Sequence, residues 1–381
     1  MPPSNTATTR LLARTRKRLL DWYDVHRRDL PWRRTSDSYA IWVSETMLQQ
    51  TRVETVIPYY ERFLACFPDV QSLADADIED VYAQWTGLGY YSRARNLHAA
   101  ARTIMDEHAG ELPRDAARLR ALKGIGRYTA GAVASIAFGA GEPVVDGNVV
   151  RVLARLLAVR DDVGERAVME RFWDVAGALA RGVRPGDLNQ SLMELGATIC
   201  TPRAPRCPEC PLQKDCEAHR RGDAETLPRR TRRPRTRNIT AVAGWIVRRG
   251  RALVVQRPED GLLGGLWELP GGDLEDDATP EAALHRCLDE RLGLAVARAT
   301  PVGEIEHLFT HRRLRLHVFR CQEPSGRVHR RDHAAHRWLS PAALCELPQG
   351  GPTRKALALL CEGSAEPHRR RLRGRAAPHG P

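Results

Sequence analysis

Apolar positions recur at helical spacing from Leu11 to about Leu195, broken at Pro31, Pro68, Pro113 and at paired glycines, and little in this stretch alternates with the period of a strand. From Ile239 the texture changes. AVAGWIVRR, RALVVQRP and RRLRLHVFR read as strands, the last because Leu314, Leu316 and Val318 alternate with Arg313, Arg315 and His317. Pro280 to Leu292 is the one helical stretch among them. The pattern predicts a mainly α N-terminal domain and a smaller α+β C-terminal domain. Between them, Leu227 to Arg237 holds six arginines and two prolines and reads as an extended linker that cannot pack. The expected divisions are 10–226, a linker at 227–238, a second domain at 239–362 and a basic, disordered tail at 363–381.

A chain of 381 residues exceeds one ordinary core, which agrees with two domains. With 59 Lys and Arg against 47 Asp and Glu, the net charge of +12 suits a polyanionic partner, although genomic base bias also enriches arginine. No apolar run approaches a membrane span. Met1 to Leu20 is basic, but Leu11, Leu12, Leu19, Leu20 and Trp22 fit the first helix of a domain, so the chain reads as cytoplasmic. Of nine cysteines, Cys200, Cys207, Cys210 and Cys216 fall within seventeen residues. An odd total with one tight cluster argues for a metal site in a reducing compartment. Four cysteines could hold either Zn²⁺ or a [4Fe–4S] cube, and the spacing does not form two CxxC knuckles.

The most informative stretch is Leu122 to Arg155. Gly124 and Gly126 bracket Ile125 just before a small-residue helix, Thr129 to Phe138, so backbone N–H groups can turn outward at a helix N-terminus and grip a phosphate. Asp146 then opens an amphipathic helix through Val149, Val152, Leu153, Leu156 and Leu157. Each half has an ordinary reading too, a plain helix–helix turn and a plain N-cap. In YAIWVSETMLQQTR, Glu45 shares a helix face with Ile41 and Leu48, and a carboxyl on an apolar stripe acquires a raised pKa suited to proton donation, while the ordinary reading is a glutamate near a helix start that snorkels to solvent. In WTGLGYYSRAR, a glycine-rich turn exposes aromatics beside guanidinium groups, a pattern suited to base stacking and phosphate contact.

Together these strings resemble the helix-hairpin-helix DNA glycosylases of the endonuclease III superfamily, and the adenine DNA glycosylases in particular. The resemblance implies that Glu45 protonates the leaving adenine and that Asp146 stabilises or traps the oxocarbenium-like sugar, with Tyr128 and Asn148 lining the site. It places Gly124 and Gly126 on the phosphate flanking the flipped nucleotide and Gln50, Thr51, Leu88 and Tyr90 against the opened duplex. Trp32 and Arg33 fall near the adenine pocket. Endonuclease III carries a lysine where this chain has Tyr128, so base release without an efficient lyase step is implied. Lys123 departs from the usual proline. The cysteine spacing is that of the endonuclease III iron–sulfur loop, which implies a [4Fe–4S] cofactor, with Arg203, Arg206 and Lys214 between the ligands.

The second domain resembles the Nudix fold. Gly272, Arg286, Leu288, Glu290, Gly293 and Leu294 match its signature, while Ala278, Cys287 and Arg291 replace three Mg²⁺-binding carboxylates. A binding module is therefore implied, with Phe309, Thr310 and His311 reading 8-oxoguanine and Thr310 in place of the usual serine. The resulting expectation is a monomeric enzyme that excises adenine opposite 8-oxoguanine or guanine in double-stranded DNA, working at the nucleoid with no membrane partner. The alternatives are an endonuclease III-like glycosylase/lyase on oxidised pyrimidines, a Nudix hydrolase of free nucleotides with a DNA-binding extension, and a non-catalytic damage binder.

Overall fold

The computed structural model describes residues 5–231, 236–275 and 279–362. Its contacts divide the chain into two compact units. One comprises 1–81 with 93–233, and the other 82–92 with 234–381.

The first unit is helical. In order come α1 (Asn5–His26), α2 (Ser38–Leu48), α3 (Val53–Cys66), α4 (Val70–Asp75), α5 (Ile78–Trp85, whose last turn belongs with the second unit), α6 (Ser92–His108), α7 (Ala116–Ala121), α8 (Arg127–Phe138), α9 (Gly147–Leu156), α10 (Arg166–Ala180), α11 (Pro185–Thr198) and α12 (Glu217–Arg221). Local chemistry sets the ends. Asp37, Asp69, Asp115 and Asp146 each accept a backbone N–H as N-caps, and Gly139 closes α8 in the left-handed conformation. Val149, Val152, Leu153 and Leu156 of α9 meet Leu188, Leu192 and Leu195 of α11 and Leu19 and Tyr23 of α1 in one buried cluster.

The second unit is built on a mixed sheet of β1 (Arg237–Arg248), β2 (Arg251–Gln256), β3 (Trp267–Glu268), β4 (Gly271–Asp273), β5 (Ala295–Leu308), β6 (Arg312–Ser325) and β7 (Ala335–Leu339), with helices α13 (Pro280–Leu292), α14 (Pro341–Glu346) and α15 (Gly351–Glu362). β1 runs parallel to β6, which pairs antiparallel with β5. Alternation along β1 assigns its two faces. Val242 and Ile246 pack with Leu284 and Leu288 of α13, while Ala241 and Ala243 pack with Leu344 of α14 and Leu357 of α15. Helices therefore cover both sides of the sheet, which is why β1 reads as a nearly continuous apolar run.

The expected fold class holds in both units, and α13 has the predicted span. The charged run behaves differently from an unpacked linker. Leu227 is 2 % exposed and its carbonyl accepts from Arg155 Nε, while the Arg229 carbonyl accepts from Val163 N, so residues 227–231 lie against the helical unit. Hydrogen bonds from the Arg155 side chain and the Val163 backbone and one apolar anchor hold them, none of which a count of charges reveals. β1 already begins at Arg237. The tail at 363–381 and Ala278 lie outside the described residues. Among those residues no helix is long and apolar enough to cross a membrane.

Candidate active site

Every residue of α2 from Tyr39 to Met47 is buried, so the helix lies in the interior on all sides. Glu45 is only 5 % exposed. The Tyr128 hydroxyl, on α8, donates to its Oε2 at 2.9 Å and also lies 3.3 Å from Met193 Sδ. Burial drives the Glu45 pKa up to about 7, the negative charge of Asp146 adds to the rise, and the Tyr128 hydrogen bond and Arg33 oppose it. A carboxyl poised there holds or gives up a proton at neutral pH.

Gly124, at φ +81°, turns the chain between α7 and α8, and a Cβ there would meet the Asn96 Cβ at 2.5 Å. Gly126 is the N-cap of α8 without a side-chain cap, which leaves the first N–H groups of that helix for an external acceptor. Further along α8, Gly131 admits the loop that leads to Asp146, since a Cβ there would sit 2.2 Å from the Pro143 carbonyl oxygen. Asp146 caps α9 by accepting from Val149 N at 2.7 Å, and Asn148 Nδ2 donates to its other oxygen at 2.8 Å. Burial raises its pKa while these bonds resist the rise, and its charge acts on both Glu45 and Tyr128. The cap of α9 and the carboxylate whose charge acts on Glu45 are one residue. Asn148 is fixed in turn by Arg151 Nη2 at 2.8 Å, and that guanidinium also reaches the carbonyls of Gly196 and Cys200.

Arg33 lies 5.4 Å from the Tyr23 ring centroid and its charge reaches Glu45, whereas Trp32 packs edge-on against Tyr60. Two groups that sequence reasoning missed anchor this side. Glu194, 1 % exposed, accepts from Arg28 N, Nε and Nη2 and from Arg33 Nη2 at 2.7–3.1 Å. Burial alone would raise its pKa, but the Arg28 and Arg33 bonds hold it at about 2. The clue was present, because Glu194 interrupts the apolar run SLMELGA as Glu45 interrupts its own helix. Gln50 and Thr51 form the turn after α2, with Gln50 exposed at φ +58°.

A model of the HhH-GPD superfamily of base excision DNA repair proteins matches residues 43–177, and a NUDIX domain model matches 242–359. The adenine DNA glycosylase of Mus musculus is 40 % identical over 366 residues, covering 80 % of this chain and 70 % of its own length. The chain belongs to the adenine DNA glycosylases. That of Homo sapiens is 39 % identical, covering 79 % of this chain and 65 % of its own. A solved thermostable thymine-DNA glycosylase is 29 % identical and superposes with a TM-score of 0.51 over 56 % of this chain and 99 % of its own. This glycosylase is thus a base-excision-repair enzyme whose helical unit carries Glu45 and Asp146.

Cys200, Cys207, Cys210 and Cys216 of the glycosylase are neighbours in one loop, close enough for their charges to act on one another. Burial, then the neighbouring sulfurs, push Cys210 up to about 12 and raise Cys207 and Cys216. Arg155, 2 % exposed, donates to Cys200 Sγ at 3.2 Å and to the carbonyls of Thr201 and Pro202. Among the described residues no three His, Cys, Asp or Glu side chains meet at metal-holding distance. As a donor set, four half-buried thiols on one loop beside a fixed cation fit a four-thiolate centre.

In the second unit, Tyr90 (φ +50°, 41 % exposed) shares a hydrogen bond between its hydroxyl and Thr310 Oγ1. Phe309, Thr310 and His311 form the turn between β5 and β6, and with Tyr90 and Leu262 they line a cavity of about 470 Å³. Leu88, expected to contact DNA, is 5 % exposed, and its N–H donates to the Trp85 carbonyl. Around the Nudix-like signature, Cys287 is buried, Arg291 Nη1 donates to the Gly271 carbonyl and Glu290 pairs with Arg286.

Proposed function

We propose that this glycosylase hydrolyses the N-glycosidic bond of adenine mispaired with 8-oxoguanine or guanine in double-stranded DNA. The observation that carries the reading is the buried Glu45 with its pKa near 7, bonded to Tyr128 within reach of the Asp146 charge. A base inside a duplex cannot reach such a group, so the nucleotide must leave the stack. The turn at Gly124 and the uncapped N–H groups that follow Gly126 hold its flanking phosphate. Arg33, held by Glu194, and Trp32 lie at the adenine pocket, Glu45 gives its proton to a ring nitrogen, and the ionised Asp146 stabilises the positive sugar or traps it. Glu45, now a carboxylate, orients the attacking water. Tyr128 offers no amine for a Schiff base, so release proceeds without strand cleavage.

Gln50, Thr51, Leu88 and Tyr90 probe the opened duplex, and the Phe309-Thr310-His311 turn reads the 8-oxoguanine, with Thr310 supplying a hydroxyl. Cys200, Cys207, Cys210 and Cys216 would hold a [4Fe–4S] cluster, which clamps their loop and so presents Arg203, Arg206 and Lys214 to phosphates. The enzyme acts as a monomer on chromosomal DNA in the cytoplasm. Incubation with a duplex holding one adenine opposite 8-oxoguanine tests the reading: strand breakage at that adenine only after alkali supports it, and intact strands after alkali overturn it.

A further inference from the structure

Arg93 begins the first turn of α6 and is 7 % exposed. Its Nη1 lies 3.0, 2.7 and 2.7 Å from the carbonyl oxygens of Thr46, Met47 and Gln49, and Nη2 lies 3.2 Å from Thr51 Oγ1. Thr46 and Met47 are in the last turn of α2, whose carbonyls have no partner within the helix and attract a cation. Between the groups that Arg93 grips stands Gln50, a side-chain-bearing residue in the left-handed region at φ +58°. Strain of that kind persists only where the surroundings over-determine it. Gln49, whose carbonyl Arg93 holds, also donates through Nε2 to Thr129 Oγ1 at 3.1 Å, one residue from Tyr128.

Two bonds therefore tie α2 to α8, Glu45 to Tyr128 and Gln49 to Thr129, and one buried guanidinium spans the end of α2 and the turn beyond it. We infer that Arg93 is a positioning residue that locks the Gln49–Thr51 turn to the helix carrying Glu45, so that what the turn meets in the duplex is coupled to the placement of the acid. This rests on the glycosylase reading above. Without the guanidinium the turn relaxes from its left-handed residue, and Gln50 and Thr51 lose their register against the duplex while Glu45 keeps its own neighbours.

The test uses the full chain with Arg93→Met and Arg93→Lys. Amide exchange should quicken about tenfold or more in residues 46–52 of Arg93→Met and stay unchanged elsewhere. In single turnovers, the ratio of adenine release opposite 8-oxoguanine to that opposite guanine should fall about fivefold or more, while the alkaline limb of the pH profile stays in place. Arg93→Lys keeps the charge and can still bond carbonyls, so it should keep the fold and restore part of both effects. A folded Arg93→Met with wild-type exchange and an unchanged ratio overturns the inference. So does a uniform loss opposite both bases that only follows the folded fraction in both variants. If the wild-type chain releases no adenine, the functional reading fails, and exchange in residues 46–52 still decides the role of Arg93.

Discussion

The Tyr128 hydroxyl stands 2.9 Å from Glu45 Oε2 and lowers the pKa of a carboxyl that burial has lifted to about 7. To act as the proposed proton donor Glu45 must be protonated at the start, so the single-turnover rate should fall about tenfold per pH unit above 7. On the acid side the rate should fall where Asp146 protonates, at a pH above the ordinary aspartate value because burial raises it. Glu45→Gln should abolish release at every pH.

The same shift bears on stability. The folded-state pKa of Glu45 lies above its unfolded value, so its contribution is fully present below about 4.5 and is lost as pH rises through about 7. The loss is on the order of 3 kcal/mol. Thermal or urea unfolding at pH 5 and pH 8.5 should therefore show Glu45→Gln gaining on wild type at the higher pH. Equal behaviour at both values would mean Glu45 reaches water.

Replacing Tyr128 by Phe removes the bond that favours the charged carboxylate. The alkaline limb should move to higher pH, because the acid then holds its proton longer, and the rate on the plateau should drop as Glu45 loses its orientation. A pH–rate profile of Tyr128→Phe checks the direction; movement to lower pH would mean the hydroxyl acts otherwise.

The cap that Asp146 supplies and the charge proposed for it in catalysis can be separated by substitution. Asn is also a good N-cap, so Asp146→Asn should keep the unfolding midpoint near wild type while release drops about 100-fold or more with the loss of charge. Asp146→Ala should cost about 1 kcal/mol in addition, through the cap of α9.

Glu194 neutralises the nearly buried Arg33 and also pairs with the more exposed Arg28. Glu194→Ala should destabilise the fold by about 3 kcal/mol or more, since it strands buried guanidinium charge. Glu194→Gln, which keeps shape and some bonds, should fold and yet bind and release adenine poorly because Arg33 is no longer held. Urea unfolding beside single-turnover rates distinguishes the two effects.

The loop with the four cysteines connects to the chemistry through Arg151, which bonds the Cys200 carbonyl and Asn148, the partner of Asp146. Purified chain should carry about four iron and four sulfide per molecule, with visible absorption to match. Cys210→Ser should lose both the metal and, through the loosened loop, adenine release. Iron-free wild type with full activity would remove the cluster from the account.

Read residue by residue, the chain already declares its helices, its strands, the glycine turn, the cap at Asp146 and the two carboxyls. Each of these depends on periodicity or on chemistry within a few neighbours, and such information is local. The span of α13 and the alternation on β6 belong to the same class. What only tertiary structure decides is which distant groups converge. It brings Glu194 to Arg28 and Arg33 across more than 150 positions, turns Leu88 inward, seats residues 227–231 on the helical unit and lays Arg93 across the end of α2. Burial of a charge, and the partner that makes it tolerable, arise from the whole path of the chain. That is why the stripe and the family resemblance could single out Glu45, while its pKa near 7 and the groups that hold it in place required the folded molecule.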